Sequence, residues 1–486
     1  MEKLKEKTLA AVAWDFVGKL AGELATFIIG IILARLLFPK EFGIIAIVII
    51  LINLLQVLIA GGFRSAIVRF QGITHIQLST IFWYNLAVSI ALMVGMYLSS
   101  GFLAAFFEIP DLKAVSQTVS VNFIFVGLSI IQEDLLIKEL KVKLVTLRRL
   151  IASIIGGVVG IILAYQNYGV WSLVWQTIVG GAIGTVLIWT IADWKPGFIF
   201  QWSSLKEILP YSRQMFISNT INRLFDRLDG LFISKFFSPI ILGLFNRAKS
   251  LNHFIIQLSS ESLRRVLFPV FAKVDMNPER SKRILHRSLH LVSFICIGLT
   301  GWLFATSEEI VLGLLGPKWA EAVLYFQLFC IGAPSTPILQ IITSQVKASG
   351  DSVSILRLTL IRRTLLVASL VASIYLGIFF LVIALGVISI LSIYIILMLT
   401  RNKIPLTIAE LGKITSIYTL IALVMAIPLW WFHDLGPGGE LFQLIFKSIV
   451  FGAGFIGANW LLRTKAISEI IQLVQPILKK IKRKLR

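Results

Sequence analysis

Asp15, Lys19, Gly22, Glu23 and Thr26 recur at three- and four-residue steps, and so do Asn219, Asn222, Arg223, Asp226 and Asp229. Such spacing puts each set on one face of a helix. Arg227, Arg247, Lys249 and His253 follow the second set closely. A guanidinium donates two parallel hydrogen bonds to a phosphate, and a lysine supplies a point charge. Asn219 and Asn222 can donate and accept, as sugar hydroxyls require. Lys19, Asn219, Asn222, Arg223, Arg227, Arg247 and Lys249 are therefore the candidate binding residues for an anionic, sugar-bearing ligand. Asp15, Glu23, Asp226 and Asp229 are the candidates for coupling to an H+ or Na+ gradient. The alternative is that these charges only neutralise one another along the helix, as Asp15–Lys19, Lys19–Glu23 and Arg223–Asp226 would.

Other chemistry finds little support. His286 and His290 have metal-ligand spacing, but they sit among basic residues with no Cys or acid beside them, so no metal site is expected. Cys296 and Cys330 lie in apolar stretches, away from any disulfide pattern. The sequence holds no glycine-rich phosphate loop ending in Lys-Ser or Lys-Thr and no convergent Ser/His/Asp set. The expectation is no catalytic residue, no cofactor and no enzyme activity. Gly156/Gly160 and Gly180/Gly184 are small-residue pairs that mark close helix packing.

The elements that carry these residues are apolar. Of 486 residues, 57% are hydrophobic and 15% charged, with mean hydropathy +0.88 and net charge +21. A membrane-spanning helix takes about 20 apolar residues, and this composition excludes a soluble enzyme. Apolar runs fall at 12–36, 42–63, 79–105, 115–137, 147–166, 170–192, 212–237, 241–270, 288–306, 320–345, 355–376, 377–399, 414–432 and 441–462. The runs at 212–237 and 241–270 are polar, so charge must decide the count. With an inside N-terminus, the even-numbered connections and the tails hold 33 Lys and Arg; the odd-numbered connections hold only Lys40, Lys113, Lys235 and Lys318. Basic residues gather on the cytoplasmic side of membrane proteins. The bias predicts fourteen helices with both termini cytoplasmic, in a multi-pass membrane protein. It also removes nucleic acid as the meaning of +21. No cleavable leader is expected at the N-terminus. Nine basic residues remain inside the runs; Arg35 and Lys447 lie near helix ends and are expected to snorkel, while Arg362 and Arg363 join the candidate set.

The chain also resembles itself at an offset of 200 residues. Arg35, Pro39 and Gly43 match Lys235, Pro239 and Gly243, and Lys138 and Arg148 match Lys347 and Arg357 at an offset of 209. Six helices separate the copies, so both have the same orientation, as in a parallel repeat. The fold class that follows is an all-α integral membrane protein with two pseudo-symmetric six-helix lobes and two extra C-terminal helices. The lobes are 1–192 and 211–400, joined by an amphipathic cytoplasmic connector at 193–210. Helices 13 and 14 occupy 401–463, and a basic cytoplasmic tail occupies 464–486. Trp194, Phe198, Phe200 and Trp202 suit the connector to a membrane surface.

ILARLLFPKEFG, LGLFNRAKSL, SSESLRRVLFPVFAKVDMNPER and LLGPKWAEAVLYFQ resemble the Wzx-type polysaccharide and O-antigen flippases of the multidrug/oligosaccharidyl-lipid/polysaccharide exporter superfamily, closest to the colanic-acid-exporter-like branch. The likeness is strongest from Leu242 to Arg280 and weak in the last two helices. It implies flipping of undecaprenyl-pyrophosphate-linked oligosaccharide units from the cytoplasmic to the periplasmic leaflet by alternating access, in surface polysaccharide synthesis. It further implies contact of Lys19, Arg223, Arg227, Arg247 and Lys249 with pyrophosphate and sugars. The partners implied are that lipid-linked substrate, membrane lipids, and a polysaccharide polymerase with its chain-length machinery. Alternatives within the superfamily are an ion-coupled drug or cation antiporter, which calls for a more acidic cavity, and a flippase for peptidoglycan-precursor lipid. A membrane polysaccharide polymerase would need a long outer loop, which this sequence lacks.

Overall fold

The computed structural model describes residues 2–253, 278–401, 403–431 and 439–471; side chains of residues 2–17, Lys19 and Pro278 stand outside that description. Every element among the described residues is helical. The chain divides into two compact units, 1–243 and 244–486. The first holds α1 (Glu2–Leu36), α2 (Pro39–Ala60), α3 (Phe63–Arg69), α4 (His75–Phe107), α5 (Asp111–Val119), α6 (Asn122–Lys138), α7 (Val142–Tyr165), α8 (Val170–Ile191) and α9 (Leu209–Phe236). The division falls inside α10, which runs from 239 through 253. The second holds α11 (Pro278–Ala305), α12 (Ser307–Leu315), α13 (Ala322–Gly332), α14 (Ser335–Ala348), α15 (Ser352–Leu376), α16 (Ile378–Leu399), α17 (Ile408–Trp431) and α18 (Glu440–Leu461).

Ten segments among the described residues are long and apolar enough to cross a membrane, two of them built from the helix pairs α5–α6 and α13–α14. Each matches a run expected from hydropathy. The remaining four runs correspond to α1, α9, α10 and α15. Helix α9 carries too much charge for an apolar criterion and α15 carries Arg357, Arg362 and Arg363; the side chains of the first half of α1 and the part of the run 241–270 beyond residue 253 stand outside the described residues. Local chemistry explains the boundaries. Pro39 opens α2, where a missing N–H costs nothing, and the Phe38 N–H donates to the Glu41 carboxylate. Thr74 and Gln77 form a reciprocal cap on α4. Gly61 and Gly62 both hold positive φ, +51° and +75°, and so turn the chain from α2 into α3 within two residues.

The repeated Pro-x-x-x-Gly turn has a structural meaning. A methyl group on Gly43 would overlap the Pro239 carbonyl oxygen, and one on Gly243 would overlap the Pro39 carbonyl oxygen. The starts of α2 and α10 thus meet through the same glycine–carbonyl approach in both directions. Gly156 on α7 packs against the backbone of Gln176 and Gly180 on α8, which is the close approach the small-residue spacing predicts.

The connector runs over the start of α4. Trp83 Nε1 donates to the Gly197 carbonyl at 2.8 Å, Gly197 N–H donates to Ser79 Oγ at 3.0 Å, and Gln77 Nε2 donates to the Ser204 carbonyl at 2.8 Å. Leu205 and Ile208 sink into an apolar cluster with Phe63, Ile67 and Phe82. Phe198 remains 95% exposed, with Phe200 and Trp202 also outward, which suits aromatic side chains at a membrane surface. The basic tail beyond residue 471 lies outside the described residues.

One expectation about charge is corrected. Arg35 is exposed in the last turn of α1, as snorkelling requires, but Lys447 on α18 is 2% exposed and ion-paired with Glu309 on α12. Its charge is neutralised inside the second unit instead of reaching the interface. Removing either partner of such a pair costs roughly 3–5 kcal/mol.

Candidate functional site

Helices α2, α3, α6, α7, α8 and α9 line an open cavity of about 830 Å3 in the first unit. That lies within the range of about 300–1,000 Å3 common for ligand cavities. Two of the expected binding residues, Asn219 and Arg223, line it. Both are exposed on α9, and Arg223 makes no ion pair with any described residue, Asp226 included.

The same cavity is bordered by charges that the sequence alone does not mark as a site. Glu133 on α6 accepts from three guanidiniums: Arg64 Nη2 at 2.8 Å, Arg148 Nη2 at 2.5 Å and Arg149 Nη2 at 2.5 Å. Asp134, next in sequence, accepts from Arg64 Nε at 2.5 Å. The cluster joins α3, α6 and α7, and its formal charge is +1. Arg148 also donates to the Gly184 carbonyl on α8 and is buried, whereas the side chains of Arg64 and Arg149 are 46% and 60% exposed. One arginine is therefore fixed in the wall, and two present their guanidiniums to the cavity. Arg64 lies in the short helix outside the spans. Burial weakens its hold on the proton, but Asp134 and Glu133 outweigh that and keep the guanidinium above its ordinary value.

Amides complete the lining. Asn53 and Gln56 on α2, Asn122 on α6 and Gln176 on α8 border the same space. The Asn122 Nδ2 is buried with no partner among the described residues, so it can donate to a ligand without breaking an existing bond. Guanidiniums beside amides can hold a phosphate at one end and sugar hydroxyls at the other.

The other expected residues are placed elsewhere. Asn222 and Arg227 are exposed on α9 and Glu23 is half-buried on α1, all outside the cavity lining. Asp226 is exposed, and the Asp229 carboxylate accepts from the N–H of Gly230. Arg247 and Lys249 belong to the second unit, where their cations lie 6.0 Å from the Trp319 ring and 5.3 Å from the Phe245 ring. Asp15 and Lys19 fall among side chains outside the described residues. His290 Nδ1 lies 2.9 Å from the Tyr418 hydroxyl, and His286 lies 3.9 Å from the Glu410 carboxylate.

By sequence, Arg64, Arg148 and Arg149 count only among the cytoplasmic residues that orient the chain, and Glu133 and Asp134 carry no role. Their signal is nonetheless present: two adjacent acids stand inside the apolar run 115–137, and a pair of arginines follows fifteen residues later. Adjacent charges inside a spanning run are costly unless paired, so they call for cations from a neighbouring element.

Residues 32–324 match the family described as polysaccharide biosynthesis protein. Over 340 residues the chain is 24% identical to the lipopolysaccharide biosynthesis protein WzxC of Escherichia coli (strain K12), covering 68% of this chain and 67% of that one. Over 311 residues it is 24% identical to the succinoglycan biosynthesis transport protein ExoT of Rhizobium meliloti (strain 1021); the match covers 64% of this chain and 63% of that relative, a little under two thirds of its length. In fold it is similar to the lipid II flippase MurJ in an inward closed conformation, with TM-score 0.71 and 14% identity over 93% of this chain and 98% of that one. It is also similar to an inward-facing multidrug resistance MATE family transporter of the MOP superfamily, with TM-score 0.61 and 13% identity over 82% and 96% of the two chains. Those structures bear on fold alone, whereas the family match spans more than half of the sequence. This chain is a multi-pass helical membrane protein and belongs to the polysaccharide biosynthesis protein family.

Proposed function

We propose that this protein is a flippase. It moves undecaprenyl-pyrophosphate-linked oligosaccharide repeat units from the cytoplasmic to the outer leaflet by alternating access, for surface polysaccharide synthesis. The observation that carries the reading is the cavity in the first unit, whose wall joins Arg64, Arg148, Arg149 and Arg223 to side-chain amides. A diphosphate fits guanidinium forks, and sugar hydroxyls fit the amides. Relatives named for lipopolysaccharide, succinoglycan and teichuronic acid synthesis support the substrate class. The positive-inside bias and the repeat support fourteen helices, lobes at 1–192 and 211–400, and cytoplasmic termini. The chain acts without catalysis, and an H+ or Na+ gradient couples to transport. Asp15, Glu23, Asp226 and Asp229 are the coupling candidates, with a polymerase and its chain-length machinery taking up the product.

A second reading, flipping of a peptidoglycan-precursor lipid, is favoured by the likeness to the MurJ fold. Both readings place a lipid diphosphate in the cavity and differ in the sugar. A drug or cation antiporter fits less well, because the lining carries more positive than negative charge. The test is reconstitution into proteoliposomes with fluorescent polyprenyl-diphosphate oligosaccharide. Wild type flips the lipid; Arg223→Ala and Lys19→Ala each slow flipping about tenfold, the loss of one charge-assisted contact. Undiminished flipping in both variants would remove these two residues from the site, and no flipping by wild type would overturn the function.

A further inference from the structure

Three guanidiniums on one carboxylate is more cation than a carboxylate needs, and the arrangement around Glu133 is asymmetric. Arg148, the buried member, donates to Oε2. Arg64 and Arg149, the two members exposed to the cavity, both donate to Oε1, at 2.8 and 2.5 Å. Oε1 therefore stands where two forks converge, which is the position a phosphoryl oxygen of a bound ligand would take. Arg64 would keep its place if that oxygen were exchanged, because its Nε is held separately by Asp134 at 2.5 Å. Arg148 would likewise stay anchored through the Gly184 carbonyl.

We infer that Glu133 is a built-in competitor for the anionic headgroup: its Oε1 holds the position that a phosphoryl oxygen of the ligand would take and returns to it as the ligand leaves. The inference deepens the proposed function and rests on its reading that the cavity takes a lipid diphosphate. Without the two acids the wall would present three uncompensated cations, and a diphosphate would sit there too firmly to leave. A carrier gains nothing from binding its cargo equally well in every state. With them the wall is close to neutral until the ligand arrives, and the phosphoryl oxygen that enters between Arg64 and Arg149 displaces Oε1 already in place. Affinity is lowered, and so is the barrier to release. The charged groups around Glu133 are Arg64 from α3, Arg148 and Arg149 from α7 and Asp134 beside it, and Arg223 from α9 lines the same cavity.

The test uses full-length protein in nanodiscs, titrated with geranylgeranyl pyrophosphate and, in a separate arm, with inorganic pyrophosphate; flipping is measured on the same variants in proteoliposomes. Glu133→Gln keeps the shape and one acceptor oxygen but removes the charge. It binds both probes roughly tenfold more tightly than wild type, as loss of one like charge beside the ligand predicts, while its flipping rate falls. Glu133→Asp keeps the charge and restores both quantities toward wild type. Asp134→Asn removes one negative charge from the cluster without touching Arg148, so it serves if Glu133→Gln fails to fold, and it tightens binding by a smaller factor. A merely structural Glu133 would weaken binding and stability together. Wild type binding the probes with Glu133→Gln or Asp134→Asn binding no tighter would overturn the competitor role alone. Wild type binding neither probe would overturn both this inference and the proposed function.

Discussion

At the sequence offset of 209 residues Arg148 on α7 matches Arg357 on α15, and the two have different surroundings. Arg148 is buried, bonded to Glu133 and to a carbonyl of α8. Arg357 is exposed and makes no ion pair among the described residues. The difference lies in the preceding helix. At the offset of 209, Glu133 and Asp134 on α6 correspond to Ile342 and Thr343 on α14, and Ile342 is fully buried in an apolar core with Ile338, Val346 and Leu358. The acid nearest this end of α15, Asp351, caps that helix through Ser354 and pairs with Lys403 at 2.7 Å. Both units keep the basic residue, which suits a shared topological role, but only the first adds acids that draw the cation into a wall. A positive charge beside a span orients the chain; a positive charge beside a span with an acid facing it builds a site.

That contrast can be broken in several places. Ile342→Glu inserts the missing acid into the second unit. The carboxylate lands in an apolar core, so about 4 kcal/mol of stability is lost, read as a fall in thermal midpoint of the purified protein. Unchanged stability, with the introduced carboxylate paired to Arg357, would mean that the two sites differ less than the packing indicates. Arg148→Ala removes the anchored member of the cluster and costs about 3 kcal/mol, whereas Arg357→Ala stays within about 0.5 kcal/mol. Equal losses in the two variants would erase the distinction. The smallest effect concerns Asp351, whose carboxyl is held at about 2, below its ordinary 3.8, by hydrogen bonds from Lys403 and Ser354. A lowered carboxyl value contributes stability above the unfolded value and loses it as pH falls toward the folded one. The gap in thermal midpoint between wild type and Lys403→Ala is therefore constant near neutrality and closes between about pH 4 and 2. A gap that persists at pH 2 would contradict the pairing.

Much of the architecture is legible in the residues, because every apolar run that hydropathy marks is helical over its described part, two of them as helix pairs. The Pro-x-x-x-Gly repeat reappears as a reciprocal glycine–carbonyl contact between α2 and α10. The site is half legible. Asn219 and Arg223 stand out because polar side chains at helical spacing interrupt an apolar background. Arg64, Arg148 and Arg149 do not, because they sit at the ends of runs, where cations are expected on topological grounds alone. Glu133 and Asp134 are the cue that separates them from orienting charges, and it is a weak cue until the neighbours of α6 are known. The Lys447–Glu309 pair is out of reach for a different reason: its partners are 138 residues apart, and nothing local to Lys447 distinguishes a buried pair from a snorkelling chain.

The central claim is that the arginine wall of the first unit, and not basic charge in general, holds the lipid diphosphate. The most direct test compares two double variants in proteoliposomes loaded with fluorescent polyprenyl-diphosphate oligosaccharide. Arg64→Gln/Arg149→Gln removes the two cavity-facing guanidiniums, and Lys347→Gln/Arg357→Gln removes the same formal charge from exposed positions of the second unit. The expected result is a loss of flipping of about a hundredfold in the first, two charge-assisted contacts, with the second within about twofold of wild type. Equal rates in the two double variants would contradict the account.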